Sequence, residues 1–426
     1  MPSLTDRLAD LQTFEQGFLA VDQSFSASAR DDARRRFEKL KGNAEAMSEA
    51  EFDLAIAEIA ALTDNAHSKF YAAHWAAKFD RLGVRFYIAD DGIFVADALP
   101  HYENLIGRNV TAIAGHTLTE LRATWDRYEN GTEGQRDQTL YFFVESPAVM
   151  HAAGLAASAE ALVLTFANGE RVRVQASADW EPPEGIWSIV PQAREIELSR
   201  AGRIKGTPLY LQEPESFYRV VGLAELDAVY LQFRANVDFN REIDLREATR
   251  KTLNELRQQK PQYVIVDQRF NLGGDLNTTR DLMQGLAEVV GATGRVFVIT
   301  SGRTFSAGIS SVGYLKQSGR ERVTIVGRPL GDHLEFWAEG RPIELAQSGA
   351  HVGVATERHN YVTGCPESDC HDSIRRHPIK VRTLAPDFQP AVLYADVVSG
   401  RDPDLEYIEA QIRAAKAGQA GTALAN

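Results

Sequence analysis

The chain has 426 residues, 25% of them charged, and a formal net charge of -13 at pH 7. That length exceeds what one hydrophobic core usually organises, so two or three domains are expected. The acidic balance, with no basic stripe, argues against nucleic acid or an anionic membrane as partner; no apolar run reaches the ~20 residues of a membrane span, and the opening MPSLTDRLADLQ has no apolar signal core, so a soluble protein is expected.

From Leu4 to about Phe79 apolar residues recur at three and four positions (Phe14, Phe18, Val21, then Phe52, Ile56, Ile59), which predicts a helical N-terminal domain over residues 1–80. The helical run breaks at LTDNAHSKFY, where Asp64-Asn65 is turn chemistry. From Val84 the texture changes to short alternating runs. Asp91-Gly92 and Asn168-Gly169 are hairpin signals and one helix, TLTELRATWDRY, is expected, so residues 81–180 read as a partly open β-domain. The Trp-, Pro- and Glu-rich stretch DWEPPEGIWSIVPQ is expected to belong to a linker, 181–205. From 206 to 400 strands and helices alternate: AVYLQFRAN, LREATRKTLNELRQQ, QYVIVDQR, TTRDLMQGLAEVVG, RVFVIT, a helix after Ser306, then RVTIVG. Such alternation predicts an α/β multi-domain protein whose core sheet is parallel with crossover helices. Hairpin-like runs return between Gly331 and Val354, and a charged helix with a small-residue tail closes the chain over 401–426.

Two strand-to-helix junctions carry chemistry. VIVDQRFNLGGD ends a buried strand in a loop with Gly273 and Gly274, where backbone amides are free to face an oxyanion. GRTFSAGISS places Ser306 at the matching point of the next unit, and parallel sheets gather such loops on one edge. Ser306 reads either as a helix cap or as a nucleophile, with Ala307 adding a helix N-terminal amide. A nucleophile needs a base. Lys316 lies ten residues along the helix, about 15 Å of rise, and does not reach. His67 stands in a polar loop, while His333 and His359 compete with it. Cys365 and Cys370, the only cysteines, form a disulfide, stay as thiols, or join His371 as metal ligands; the last alternative lacks a recognisable zinc spacing.

These segments resemble the C-terminal processing, or tail-specific, serine peptidases, especially the branch of the tricorn core protease. The resemblance runs through LTDNAHS, VRFYIADDGIFVADAL with LIGRNVTAIAGHTL, VIVDQRFNLGG, RTFSAGISSVGYLK, VTIVGRPLG and LAPDFQP, in the family's order. It implies a ClpP/crotonase-like ββα-spiral core with a helical N-terminal region and a PDZ-like β-domain. It also implies Ser306 as nucleophile, His67 as base, and Gly273 or Gly274 with Ala307 as oxyanion hole. Peptide or protein is the implied substrate, with neither cofactor nor metal. The loop GRPLGDH lacks the lysine of Ser-Lys members, Ile309 replaces a frequent glutamate, and VRTLAPD lacks the tricorn-like carboxylate. Asp64, Asp332, Glu335 and Glu357 are therefore the candidate orienting acids. The cysteine pair and family habit point to periplasm or secretion, with cytoplasm as alternative.

A second class is carried alongside. The interphotoreceptor retinoid-binding protein resembles this fold and binds apolar ligands. A chain that lost part of the catalytic set would bind such a ligand or a peptide, using aromatics such as Phe305, Phe336 and Trp337, which otherwise serve as packing.

Overall fold

The computed structural model describes residues 2–181, 192–238 and 244–423. The chain divides into two compact units, one of residues 1–204 with 336–358 and the other of residues 205–335 with 359–426.

The first unit begins with helices α1 (Leu4–Phe14), α2 (Ala27–Asn43), α3 (Glu49–Ala61) and α4 (Ala73–Lys78). Ser3 with Asp6 and Ser48 with Glu51 form capping boxes, satisfying amides that the first turns of α1 and α3 leave open. Strands β1 (Arg81–Leu82), β2 (Val84–Ala89), β3 (Gly92–Ala98) and β4 (Asn109–Ile113) follow. Helices α5 (Leu118–Trp125), α6 (Glu133–Val144) and α7 (Pro147–Ala152) come next, then β5 (Ala161–Phe166), β6 (Arg171–Ser177) and α8 (Arg194–Arg200). The strands form one antiparallel sheet in the order β1-β6-β5-β4-β3-β2.

The sequence predicts one helix in this region, and the structure has three. The missed α6 ends in the contiguous apolar run LYFFV, which carries no 3.6-residue period. The first hairpin turns at Asp90-Asp91, because Ala89 pairs with Gly92. A continuous core joins the helical and β regions: Phe14, Phe18 and Ile56 pack in the same cluster as Phe86, Trp125 and Leu164. Most of the stretch DWEPPEGIWSIVPQ lies outside the described residues, and α8 occupies part of the expected linker.

The second unit is built on β7 (Tyr218–Leu223), β8 (Ala228–Phe233), α9 (Leu245–Gln259), β9 (Tyr263–Asp267), α10 (Arg280–Val289), β10 (Arg295–Thr300), α11 (Ala307–Gly319) and β11 (Val323–Gly327). Its sheet order is β11-β10-β9-β8-β7. β8 to β11 pair in parallel, and β7, which the sequence reading passed over, joins antiparallel. Every residue of β8 and β9 is buried, which is why these strands read as continuous apolar runs rather than alternating ones.

After β11 the chain returns to the first unit. Strands β12 (Glu335–Glu339) and β15 (Ala355–Asn360) pair with each other, and β13 (Ile343–Leu345) pairs with β14 (Ala350–Val352). Residues 336–358, from within the run that the sequence placed in the core, thus pack with residues 1–204. The second unit ends with α12 (Asp372–Arg376), α13 (Tyr394–Ser399) and α14 (Pro403–Ala423). Leu405, Ile408 and Ile412 of α14 pack on Tyr230, Ile265 and Phe297 of the sheet. Among the described residues no helix is long and apolar enough to cross a membrane.

Candidate active site

Ser306 precedes α11 with φ 51 and ψ -123, and its side chain makes no capping hydrogen bond. An ordinary N-cap has extended backbone and an oxygen that accepts from the first turn, so Ser306 holds the cap position without doing the cap's work. Its conformation costs a non-glycine residue about 1–3 kcal/mol. Arg320, at the other end of the helix, shares that conformation (φ 47, ψ -119), so what distinguishes Ser306 is its surroundings. The loop is fixed by short-range bonds: Thr304 Oγ1 donates to the Gln268 carbonyl, Ser301 Oγ to that of Arg269, and the Phe305 amide to that of Asn271.

The glycine loop after β9 lies directly against Ser306. A Cβ on Gly273 would stand 2.6 Å from Ser306 Cβ and 3.1 Å from the Ala307 nitrogen, and Gly273 has φ +101. At Gly274, with φ +129, a Cβ would meet the Asn236 carbonyl oxygen at 2.5 Å. Only glycine fits both places. The two glycine amides differ in use. Gly273 N–H donates to Asn271 Oδ1 at 2.9 Å. Among the described residues the Gly274 and Ala307 amides make no hydrogen bond. The second unit thus brings together Ser306, Ala307, Gly273 and Gly274, as the parallel-sheet argument requires.

The first unit carries His67. Its half-buried ring stacks on Phe336, with centroids 5.2 Å apart and planes 8° from parallel. The neighbours of His67 are pinned by the side chains of Asp22, Asn65 and Asn130. Asp22, fully buried, accepts from Ser68 Oγ at 2.6 Å and from the Ala355 amide at 2.8 Å. Asn65 Nδ2 donates to the Trp337 carbonyl while its Oδ1 accepts from the Trp337 amide. Asn130 Nδ2 donates to Thr63 Oγ1 and to the Ser68 carbonyl. Asp22 and Asn130 are remote in sequence, so no local motif marks them.

The remaining candidates are placed as follows. Asp64 is exposed, with φ 49, and Glu357 is half-buried on β15; both belong to the first unit with His67. In the second unit, Asp332 is buried and accepts from the His333 amide, next to Gly331, whose amide donates to the Thr304 carbonyl. His333 and Glu335 are exposed, and Glu335 accepts from Asn360 Nδ2. His359 is buried, bonded to Tyr361 and stacked on His371 at 5.4 Å. Lys316 donates to the Val323 carbonyl, in keeping with its helical displacement from Ser306. Cys365 and Cys370 are joined in a disulfide.

Each unit also holds a buried charge cluster. In the second unit, Arg269 forms a two-pronged pair with Asp402 and also pairs with Asp267, which accepts from the Tyr230 hydroxyl. Beside it, burial pushes the Asp404 carboxyl up to about 6, the Arg269 charge offsetting only part of that cost. In the first unit, Arg81, Arg85 and Arg194 surround Glu145. Burial opposes ionisation of Glu145, yet the guanidiniums of Arg194, Arg81 and Arg85 outweigh it and hold the carboxyl below its usual range. Glu145 also accepts from the Phe86 amide, and Tyr141 from the Ile88 amide. Two alternate amides of β2, the last strand in its sheet, are therefore already taken.

No protein-family profile and no curated protein sequence matches the chain. Among solved structures, mature CPAF complexed with lactacystin aligns with a TM-score of 0.56 at 12% identity, over 97% of this chain and 99% of that chain. Mature CPAF alone aligns at 0.55 and 12%, over 95% and 96%. A serine-to-alanine variant of CPAF gives 0.54 and 12%, with the same coverage. The chain has the fold of CPAF, a mixed α/β multi-domain architecture. A photosystem II D1 C-terminal processing protease is also among the matches, at a TM-score of 0.35 and 12% identity over 91% and 92% of the chains.

Proposed function

We propose that the chain is a serine peptidase of the C-terminal processing type, with Ser306 as nucleophile, His67 as general base, and the amides of Gly274 and Ala307 as oxyanion hole. The observation that supports this most is the state of Ser306. It heads a helix in a strained turn, as nucleophilic serines do at strand-to-helix elbows, without serving as the cap, between a glycine loop and an unengaged helix amide. Gly273 is assigned a spatial role, because its amide is spent on Asn271.

In this reading Ser306 Oγ attacks the scissile carbonyl carbon while its proton passes to the His67 ring, and the carbonyl oxygen becomes an anion held by the two amides. Collapse breaks the C–N bond, and the amine leaves with the proton from His67. Water then repeats the sequence on the acyl-enzyme, releasing the acid and restoring Ser306. The second unit is read as the ClpP/crotonase-like core and residues 81–180 as the PDZ-like module. An extended peptide cannot pair with that module at the Phe86 and Ile88 amides, because Glu145 and Tyr141 already occupy them. Among the four acids, Glu357 is the favoured orienter: it is half-buried in the same unit as His67, on the strand paired with the one that bears Phe336. The disulfide favours an oxidising compartment, periplasmic or secreted.

The apolar-binder reading loses ground to two contacts: Phe336 is spent on His67, and the Trp337 backbone on Asn65. The CPAF complex makes lactacystin a reasonable probe ligand here. Hydrolysis of an unfolded protein substrate such as reduced casein tests the proposal. Turnover is expected in the wild type and a fall of at least about 10³-fold in both Ser306→Ala and His67→Ala. Turnover that survives either substitution contradicts the assignment of that residue.

A further inference from the structure

Three strand ends meet behind Ser306, and two buried asparagines join them. Asn236 follows β8, Asn271 follows β9, and the Ser306 loop follows β10. Both asparagines are fully buried. Asn271 Oδ1 accepts from the Gly273 amide, and its Nδ2 donates to Asn236 Oδ1 at 2.9 Å and to Gln268 Oε1 at 2.5 Å. The Asn271 carbonyl takes the Phe305 amide, one residue before Ser306. Asn236 Nδ2 in turn lies 3.2 Å from the Ala307 carbonyl, from Thr279 Oγ1 and from Ser311 Oγ. Its backbone amide donates to the Gly273 carbonyl at 2.7 Å, and its carbonyl accepts from Asp275.

The glycine loop and the head of α11 are therefore tied to one another by side-chain amides, through Asn271 and then Asn236. Each of the two proposed oxyanion donors is gripped by a neighbouring bond: Gly274 between Gly273 and Asp275, and Ala307 through its own carbonyl. A buried amide side chain has fixed donors and acceptors, so a chain of them sets spacing more rigidly than apolar contact does. Oxyanion stabilisation depends on donors held in place before charge develops.

We propose that Asn271 and Asn236 are positioning residues that set the separation of the Gly274 and Ala307 amides, and so the rate of acyl or phosphonyl transfer at Ser306 rather than ligand affinity. This deepens the reading above and rests on it. The reaction used to test it forms a bond from Ser306 Oγ to phosphorus and breaks the P–F bond, with fluoride leaving and the serine proton passing to the base.

The experiment measures fluorophosphonate inactivation of the full chain over a range of probe concentrations, separating the maximal rate from the half-saturating concentration, with the adduct located by mass spectrometry. Asn271→Ala is expected to lower the maximal rate about 10²-fold and to leave the half-saturating concentration within about threefold. Asn236→Ala lowers the rate at least about tenfold, and the double variant is no more than about threefold slower than Asn271→Ala alone, because both remove one linkage. Should Asn271→Ala fail to fold, Asn236→Ala carries the test, since it cuts the linkage while leaving the bond to Gly273. Tyr314→Phe serves as a stability control: it removes a bond from α11 to the His377 carbonyl, so its melting temperature falls while its labelling rate stays at the wild-type value. Wild-type labelling at Ser306 with both alanine variants within threefold of it, or a loss confined to half-saturation, overturns the positioning role alone. Absence of any Ser306 adduct in the wild type overturns the nucleophile assignment and this proposal with it.

Discussion

The loop of Ser306 and the loop of His67 confine their central residues by different means. Ser306 itself is confined by backbone, through a positive φ and a glycine that comes so near that a single added carbon would stand 2.6 Å from the serine Cβ, while side chains such as Thr304 and Asn236 brace the segments on either side. His67 is fixed by side chains, with Asp22, Asn65 and Asn130 bonded around it and a phenylalanine ring against the imidazole. A nucleophile whose donors are main-chain amides gains from rigid backbone, because those amides have no rotamers to lose. An imidazole proposed to hand a proton back and forth needs its ring plane set, and stacking on Phe336 sets it. The first device fails through sterics and the second through desolvated polar groups left unpaired.

Gly273→Ala should break the first device most completely. The new methyl meets Phe305 and Ala307 backbone atoms at 3.0 and 3.1 Å and forces φ +101 on a residue with a Cβ. A destabilisation of about 3 kcal/mol and loss of labelling at Ser306 are expected, read by denaturant titration and mass spectrometry. Asp22→Ala attacks the second device by leaving Ser68 Oγ and the Ala355 amide without their buried acceptor. It should cost about 3 kcal/mol and reduce hydrolysis, measured by chemical denaturation and casein turnover.

Asp404→Asn acts on the buried charge beside the Ser306 loop, and with the opposite sign. The folded-state value of about 6 lies above the usual 3.8, so this carboxyl opposes folding little below about pH 4 and increasingly as pH rises through 6. The asparagine variant should be more stable at pH 7 by on the order of 2 kcal/mol. Its advantage should vanish near pH 4, as denaturation at a series of pH values will show. The smallest effect is expected from Phe336→Leu, which keeps apolar bulk but loses ring stacking. About 1 kcal/mol of stability and a few-fold loss of turnover are predicted, seen in the melting temperature and the casein assay.

The parallel half of the fold was legible because a strand buried on both faces, such as YVIVD, leaves a continuous apolar signature, and because α9 and α10 keep a helical period between such strands. The two junctions were legible for the same reason: Gly273, Gly274 and Ser306 sit where strands give way to helices. Less visible were the contributions made over distance. Asp22 and Asn130 act on a loop far along the chain, and nothing in local spacing reveals a carboxylate that will accept an amide from residue 355. The return of 336–358 to the first unit is likewise a tertiary event. One signal was present and passed over. Asn271 stands two residues before Gly273, the spacing at which an asparagine side chain accepts from its own backbone, and that would have shown which glycine amide remained open.

The central claim is that Ser306 is an activated nucleophile rather than a helix cap. Incubating the purified full chain with a fluorophosphonate and locating the adduct by mass spectrometry tests it directly. The account predicts a single adduct on Ser306 in the wild type that is absent from Ser306→Ala and strongly slowed in His67→Ala. A folded wild-type protein that stays unmodified at Ser306, or is modified there at the same rate without His67, contradicts it.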